Sequence, residues 1–299
     1  MDITGKTRLI CLLGSPVEHS LSPQMHNLAF QTLGLPYSYM AFDLREKALP
    51  EVLRAFRSMG VRGCNLTMPL KNAVLPFCDS LSPAAALSGA VNTLVFEPDG
   101  SLHGYTTDGA GFLRALTASG IPYRGRKLVL LGTGGAGMAI LVQAALSGAG
   151  EIAVFVREGS RFRARAEACL RALSARSGTR LSLHFYETAG ALAHELETAA
   201  LLVNASNVGM EPNTEACLLP DASLLHTGLA VADVIYSPRR TRLLRMAEER
   251  GLPCMNGLSM LLYQGAEAFR LWTGEEMPVE LIDERYFRNT GEIPGTRRL

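Results

Sequence analysis

The chain has 299 residues, a nearly balanced charge (29 Lys and Arg against 28 Asp and Glu, net +1) and 47% hydrophobic residues. That length exceeds what one hydrophobic core usually supports, so two domains are expected, and no basic footprint for nucleic acid or an anionic membrane is present. Six scattered cysteines without C-x-x-C spacing, no signal-peptide pattern after Met1 and six histidines without ligand spacing predict a cytoplasmic protein with reduced thiols and no metal.

Arg8 to Leu13 reads as a short apolar strand. Ser22 followed by Pro23 suits an N-cap and first helical turn, and the spacing then predicts a helix burying Met25, Leu28, Ala29 and Leu33. Ser20 has no such capping role. Tyr37 to Phe42 reads as a strand, Lys47 to Met59 as a helix and Val61 to Thr67 as a strand, a βα repeat that implies a largely parallel sheet. Residues at the carboxyl ends of such strands face a ligand crevice, and Lys71 lies just past one of them. Ser82 and Pro83 open another helix. Gly89 to Phe96 contains a strand, Pro98-Asp99-Gly100 a turn, and Leu102 to Tyr105 the hairpin partner. Asp108 precedes a helix that ends near Gly120, and by itself it reads as a cap.

The centre of the chain is Lys127 to Ala139. Four apolar residues, Leu128 to Leu131, run into Gly132-Thr133-Gly134-Gly135-Ala136-Gly137, followed by a helix-forming stretch to Leu146 and a second strand at Glu151 to Val156. This is the strand, glycine turn and helix that binds a dinucleotide pyrophosphate. Gly132 permits the turn, Gly134 lets the backbone approach the phosphates, and Gly137 lets helix pack on strand. The helix start then directs its unpaired N–H groups at the anion. No charged residue falls between Leu128 and Gly150, a length that raises a membrane span, but its glycines and polar residues favour the turn. Beyond the second strand an acidic residue suits a free ribose 2′-hydroxyl, whereas arginines suit a 2′-phosphate. The loop offers Glu158 with Arg157 and Arg161 on either side, so NAD and NADP both stay open. Strands are further expected at Leu181 to Phe185, Ala200 to Val203 and Leu229 to Val234, with a basic helix at Arg239 to Arg250 and an apolar one from Gly257 to Phe269 carrying Gln264.

In this order, His19-Ser20-Leu21-Ser22-Pro23, Asn65-Leu66-Thr67-Met68-Pro69-Leu70-Lys71, Gly89-Ala90-Val91-Asn92-Thr93, Thr107-Asp108-Gly109-Ala110-Gly111, the glycine turn and Met260 to Gln264 resemble the signature motifs of the shikimate dehydrogenase family. The resemblance spans Leu9 to Pro278. It implies an α/β fold of two domains: a mostly parallel substrate domain, residues 1–107 plus 257–299, and a Rossmann-like NAD(P)-binding domain, residues 108–256. It implies that Lys71 is the general acid/base, assisted by Asp108. Ser20 and Ser22 would bind the substrate carboxylate, and Thr67, Asn92, Asp108 and Gln264 the ring hydroxyls. Tyr236 would line the substrate pocket, while Val234 and Gly257 would touch the nicotinamide half. Gly132, Gly134, Gly135, Ala136, Gly137, Arg157, Glu158 and Arg161 would hold the rest of NADP or NAD.

The implied reaction is the reversible reduction of 3-dehydroshikimate to shikimate by a cytoplasmic monomer or homodimer, with no nucleic-acid or membrane partner. Leu35 to Phe42 and Leu271 to Gly274 look closer to the quinate/shikimate branch, which accepts either substrate and leans towards NAD. A non-catalytic sensor on the same fold is the alternative, and retention of Lys71 with Asp108 argues against it. Four positions depart from the family pattern: Met68 for a smaller residue, Thr106 for Asn, Val156 for Asn and Ser206 for Thr.

Overall fold

The computed structural model describes residues 3–288. The chain forms two compact units, Met1–Thr107 with Leu262–Leu299, and Asp108–Leu261. The end of the expected first domain, residues 289–299, lies outside the described residues. Among the described residues no helix is long and apolar enough to cross a membrane.

The first unit begins with β1 (Arg8–Gly14), α1 (Ser22–Thr32), β2 (Tyr37–Asp43), α2 (Leu49–Met59) and β3 (Gly63–Leu66). It continues with α3 (Leu70–Ala73), β4 (Ser80–Leu81), α4 (Pro83–Ser88), β5 (Thr93–Phe96) and β6 (Leu102–Tyr105). The strands form one sheet in the order β2-β1-β3-β5-β6-β4. Only β5 runs against its neighbours, as the hairpin turn at Asp99-Gly100 requires. The strand β3 is buried along its whole length, so its one polar side chain, Asn65, must find partners inside. Ser82 caps α4 as expected, its hydroxyl accepting the Ala85 N–H at 3.2 Å.

The start of α1 differs from expectation. Ser22 is already helical, Leu21 occupies the cap position and no side chain caps there. Instead the Ser20 hydroxyl accepts the Ser22 N–H at 3.2 Å. The buried face is also rotated: Met25 and Ala29 are buried as read, but Leu33 is exposed and His26 and Phe30 take the inner positions. The reason is aromatic packing. The His26 ring lies 4.4 Å from Tyr39 and 5.3 Å from Trp272, and Phe30 lies 5.1 Å from Phe269. Offset aromatic contacts of this kind favour flat rings over a leucine.

The second unit opens with α5 (Asp108–Ala118), β7 (Lys127–Leu131), α6 (Gly135–Leu146), β8 (Glu151–Val156), α7 (Arg163–Ser174) and β9 (Arg180–Phe185). After these come α8 (Ala191–Leu196), β10 (Leu201–Asn204), β11 (Ala230–Asp233), α9 (Arg242–Glu249) and β12 (Cys254–Met255). Its sheet is parallel throughout, in the order β12-β11-β10-β7-β8-β9. Chain order reverses between β7 and β10, and at such a switch point the loops leaving the strands open a ligand crevice. Gly109 on α5 lies where a Cβ would strike the Ala139 carbonyl of α6, so glycine is needed for these helices to pack. The last long helix, α10 (Gly257–Thr273), runs on through the boundary at Leu261, and α11 (Val279–Ile282) follows it. Within the first unit Trp272 of α10 is buried and its indole N–H donates to the Leu94 carbonyl at 2.9 Å, tying the helix to β5.

Candidate active site

In the first unit, buried polar side chains form a continuous relay. The Tyr39 hydroxyl donates to Asn65 Oδ1 at 2.8 Å. Asn65 Nδ2 donates to the Asn92 carbonyl at 3.1 Å and to Thr93 Oγ1 at 3.0 Å. Asn92 Oδ1 accepts the Thr107 N–H at 2.7 Å, and Asn92 Nδ2 donates to Thr107 Oγ1 at 3.0 Å and Gln264 Oε1 at 3.3 Å. Two expected site residues, Asn92 and Gln264, thus belong to one network. Both are buried, as is Ser22, and Ser20 is half-buried. Burial without charged partners pushes the Tyr39 phenol well above its usual range, so it stays protonated as a donor.

Lys71 stands on α3, one turn beyond β3. Its carbonyl accepts the Val91 N–H at 2.8 Å, so the segment of Lys71 is tied to the segment of Asn92. Thr67, half-buried, is held against β1: its N–H donates to the Leu13 carbonyl at 2.9 Å, and the Ser15 N–H donates to Met68 at 2.8 Å. Gly14 makes this approach possible, since a Cβ there would strike Thr67 and the Met68 carbonyl. The Met68 side chain itself is exposed.

In the second unit, Asp108 is buried as the first helical residue of α5. The glycine turn has the geometry its spacing predicts. Gly132 has φ +102°, and a Cβ at Gly137 would collide with the Gly132 carbonyl. Gly134 faces open space and starts α6, which contains Gly135, Ala136 and Gly137 in its first turn. The Thr133 hydroxyl is buried without a hydrogen-bond partner. An open backbone, an orphaned hydroxyl and a bare helix start suit a ligand rich in acceptors, such as a dinucleotide pyrophosphate.

Arg157, Glu158 and Arg161 are exposed in the loop after β8. The Glu158 N–H donates to Glu187 Oε2 at 3.1 Å, and the Arg161 guanidinium stacks 4.7 Å from the Phe162 ring. Val234 and Gly257 are brought together: a Cβ at Gly257 would strike the Val234 carbonyl, and the Gly257 N–H donates to Ile235 at 3.0 Å. Nearby Tyr236 is half-buried, and burial pushes its phenol up. The loop carrying these residues hangs on Asp233, whose carboxylate is fully buried. It accepts from Thr241 Oγ1 at 2.7 Å, Ile235 N at 3.0 Å and Asn204 Nδ2 at 3.1 Å. Burial pushes the Asp233 carboxyl up, and these three donors oppose the shift. Ser206, in place of threonine, keeps its hydroxyl bond to Asn204 Oδ1 at 2.7 Å. Tyr39, Thr107 and Asp233 carry much of this architecture, although the sequence does not single them out as site residues. Asn65 alone carried a usable signal, as a polar residue inside an apolar strand.

A doubly wound sheet with a glycine turn at its switch point, in one chain with a mostly parallel unit of buried hydrogen-bonding side chains, defines a dinucleotide-dependent oxidoreductase. The family described as "Shikimate dehydrogenase substrate binding domain" matches residues 12–94, and "Shikimate 5'-dehydrogenase C-terminal domain" matches residues 257–285. Shikimate dehydrogenase (NADP(+)) of Listeria monocytogenes serotype 4b is 46% identical over 285 residues, covering 95% of this chain and 97% of that protein. The solved structure of shikimate 5-dehydrogenase from Listeria monocytogenes in complex with shikimate and NAD superposes with a TM-score of 0.91 at 46% identity, covering 95% of this chain and 98% of that one. Quinate dehydrogenase from Corynebacterium glutamicum in complex with NAD gives 0.83 at 30% identity, covering 93% and 98%. The chain belongs to the shikimate dehydrogenase family, oxidoreductases that act on a CH–OH group.

Proposed function

We propose that this chain interconverts shikimate and 3-dehydroshikimate with NADP or NAD. The carrying observation is that Lys71 and Asn92 lie on segments joined by a backbone hydrogen bond, with the Asn92 amide fixed by the buried relay to Gln264. A ring bearing several hydroxyls needs such fixed donors and acceptors, because each mismatched buried polar group costs affinity. In this reading residues 1–107 with 257–299 bind the substrate and residues 108–256 the cofactor. When bound, the nicotinamide supplies the redox chemistry as hydride acceptor or donor.

The protein's own task is orientation and one proton. Ser20 and Ser22 take the substrate carboxylate; of the two, Ser20 is the more accessible. Thr67, Asn92 and Gln264 take ring hydroxyls. Lys71 removes the proton of the hydroxyl being oxidised and returns it in the reverse direction, and Asp108 holds that hydroxyl and the Lys71 ammonium in place. Gly132 to Gly137 hold the pyrophosphate, Arg157, Glu158 and Arg161 the adenosine ribose, and Val234, Tyr236 and Gly257 the nicotinamide side. The six cysteines are free thiols, which suits a reducing cytoplasm.

The test is nicotinamide absorbance on mixing the protein with shikimate or quinate and each cofactor in turn. Reduction of cofactor with shikimate is expected. A change with quinate as well would place the chain with the two-substrate branch. No change in any combination would refute the enzymatic reading in favour of a binding protein.

A further inference from the structure

The start of α7 is unusual for a helix. Its first turn contains Arg163 and Arg165 and no acidic residue, and no side chain caps it. Positive charge at a helix N-terminus is disfavoured by the dipole, so such a cluster asks for an anion. Arg163 already has one: its Nε donates to Glu167 Oε1 at 2.9 Å, and its guanidinium lies over the Phe185 ring. Arg157, Arg161 and Arg165 have no carboxylate partner among the described residues.

Arg165 differs from the other two in being anchored. Its Nη2 donates to the Thr133 carbonyl at 3.2 Å, inside the glycine turn, and its guanidinium shares the Phe162 ring with Arg161. Its Nε is buried without a partner, and so is the Thr133 hydroxyl, on a residue 3% exposed. The two orphaned atoms thus belong to residues that the Nη2–carbonyl bond joins where α7 touches the glycine turn. Burial also disfavours the Arg165 charge, a cost that a bound anion would offset. The ribose of a dinucleotide is read between these two segments.

We propose that Arg165 is a specificity-determining residue for the cofactor, completing with Arg157 and Arg161 the site that takes a ribose 2′-phosphate. This rests on the dinucleotide reading above. The carboxylates of Glu158 and Glu187 stand in the same region and favour a free 2′-hydroxyl, so the preference between phosphorylated and unphosphorylated ligands is the quantity to measure. Arg165 tips that preference because its guanidinium is held in place by the turn itself.

Calorimetric titration with adenosine 2′,5′-bisphosphate and adenosine 5′-monophosphate reads this directly, without catalysis. The unaltered protein is expected to bind the bisphosphate more tightly. Arg165→Met should shrink that preference about tenfold or more, as loss of a charge-assisted phosphate contact implies. Arg165→Lys, which keeps the charge, should hold an intermediate preference and serves if the Met variant does not fold. Arg163→Met, whose partner is Glu167, should leave the preference unchanged. An unchanged preference in Arg165→Met, an equal weakening of both ligands, or an equal effect from Arg163→Met would overturn the proposal. If the unaltered protein binds neither fragment nor either cofactor, the dinucleotide reading falls with it.

Discussion

Replacing Tyr39 with Phe removes one oxygen from the relay and keeps the ring that packs on His26. The phenol is 2% exposed and donates to Asn65 Oδ1 at 2.8 Å, so the variant leaves that amide oxygen buried and without its donor. An orphaned buried acceptor costs about 1–3 kcal/mol. For a unit of this size each kcal/mol lowers the melting temperature by about 2–4 °C, which gives an expected drop of about 2–12 °C. The second consequence is functional: with its oxygen unpaired, the Asn65 amide keeps its orientation but holds Thr93 and Asn92 less firmly, and shikimate affinity should fall about tenfold for each 1.4 kcal/mol lost there. Calorimetric melting and equilibrium titration with shikimate measure both effects. A cycle with Asn65→Ala isolates the coupling, expected at about 0.5–3 kcal/mol for residues in one network. A Tyr39→Phe protein that melts and binds shikimate like its parent would refute the relay.

Lys71→Ala should lower turnover by about 10² or more while the shikimate dissociation constant stays within a few-fold, because proton transfer by a positioned group contributes about 10² to 10⁴. Steady-state rates and direct titration separate the two, and near-normal turnover would remove Lys71 from the chemistry. Gly137→Ala places a methyl on the Gly132 carbonyl, so cofactor binding measured by calorimetry should collapse while shikimate binding to the first unit persists. Burial lowers the His26 pKa from 6.5 to about 3, so the unfolded chain takes up the proton first. The stability this provides is complete above pH 6.5 and is lost as pH falls towards about 3, by about 1.4 kcal/mol per pH unit at the steepest. His26→Phe should flatten the pH dependence of the urea midpoint across that window, and parallel profiles for the two proteins would contradict it.

What the sequence reveals is set by how local the governing interaction is. The glycine turn, the Ser82 cap and the hairpin at Asp99-Gly100 are decided within a few residues, and each is where the spacing puts it. The buried face of α1 is decided by Tyr39, Phe269 and Trp272, two of them more than two hundred positions away. Hydrophobic periodicity counts a histidine as polar and a leucine as apolar, so it turned the helix towards Leu33. The exchange of roles between Ser20 and Ser22 is not announced by the Ser-Pro pair: Ser22 is buried inside the first turn, and the preceding serine accepts its backbone N–H. Arg165 was invisible for a simpler reason. In sequence it is an ordinary helical arginine, and only the fold brings it to Thr133.

The relay also has a direction, which two backbone groups impose. The Thr107 N–H can only donate, so the Asn92 side chain must turn its oxygen towards it and its nitrogen towards Thr107 Oγ1 and Gln264. The Asn92 carbonyl can only accept, so Asn65 must present its nitrogen there and its oxygen to Tyr39. Neither amide can flip without leaving a buried donor facing a donor. Main-chain geometry thus fixes which faces of the site offer protons and which receive them, before any ligand arrives. A ring whose hydroxyls match that polarity binds without paying to reorient the amides, and one with a hydroxyl missing leaves part of the network unsatisfied. This asymmetry, rather than the number of hydrogen bonds, gives a buried polar site its power to discriminate among closely related polyols.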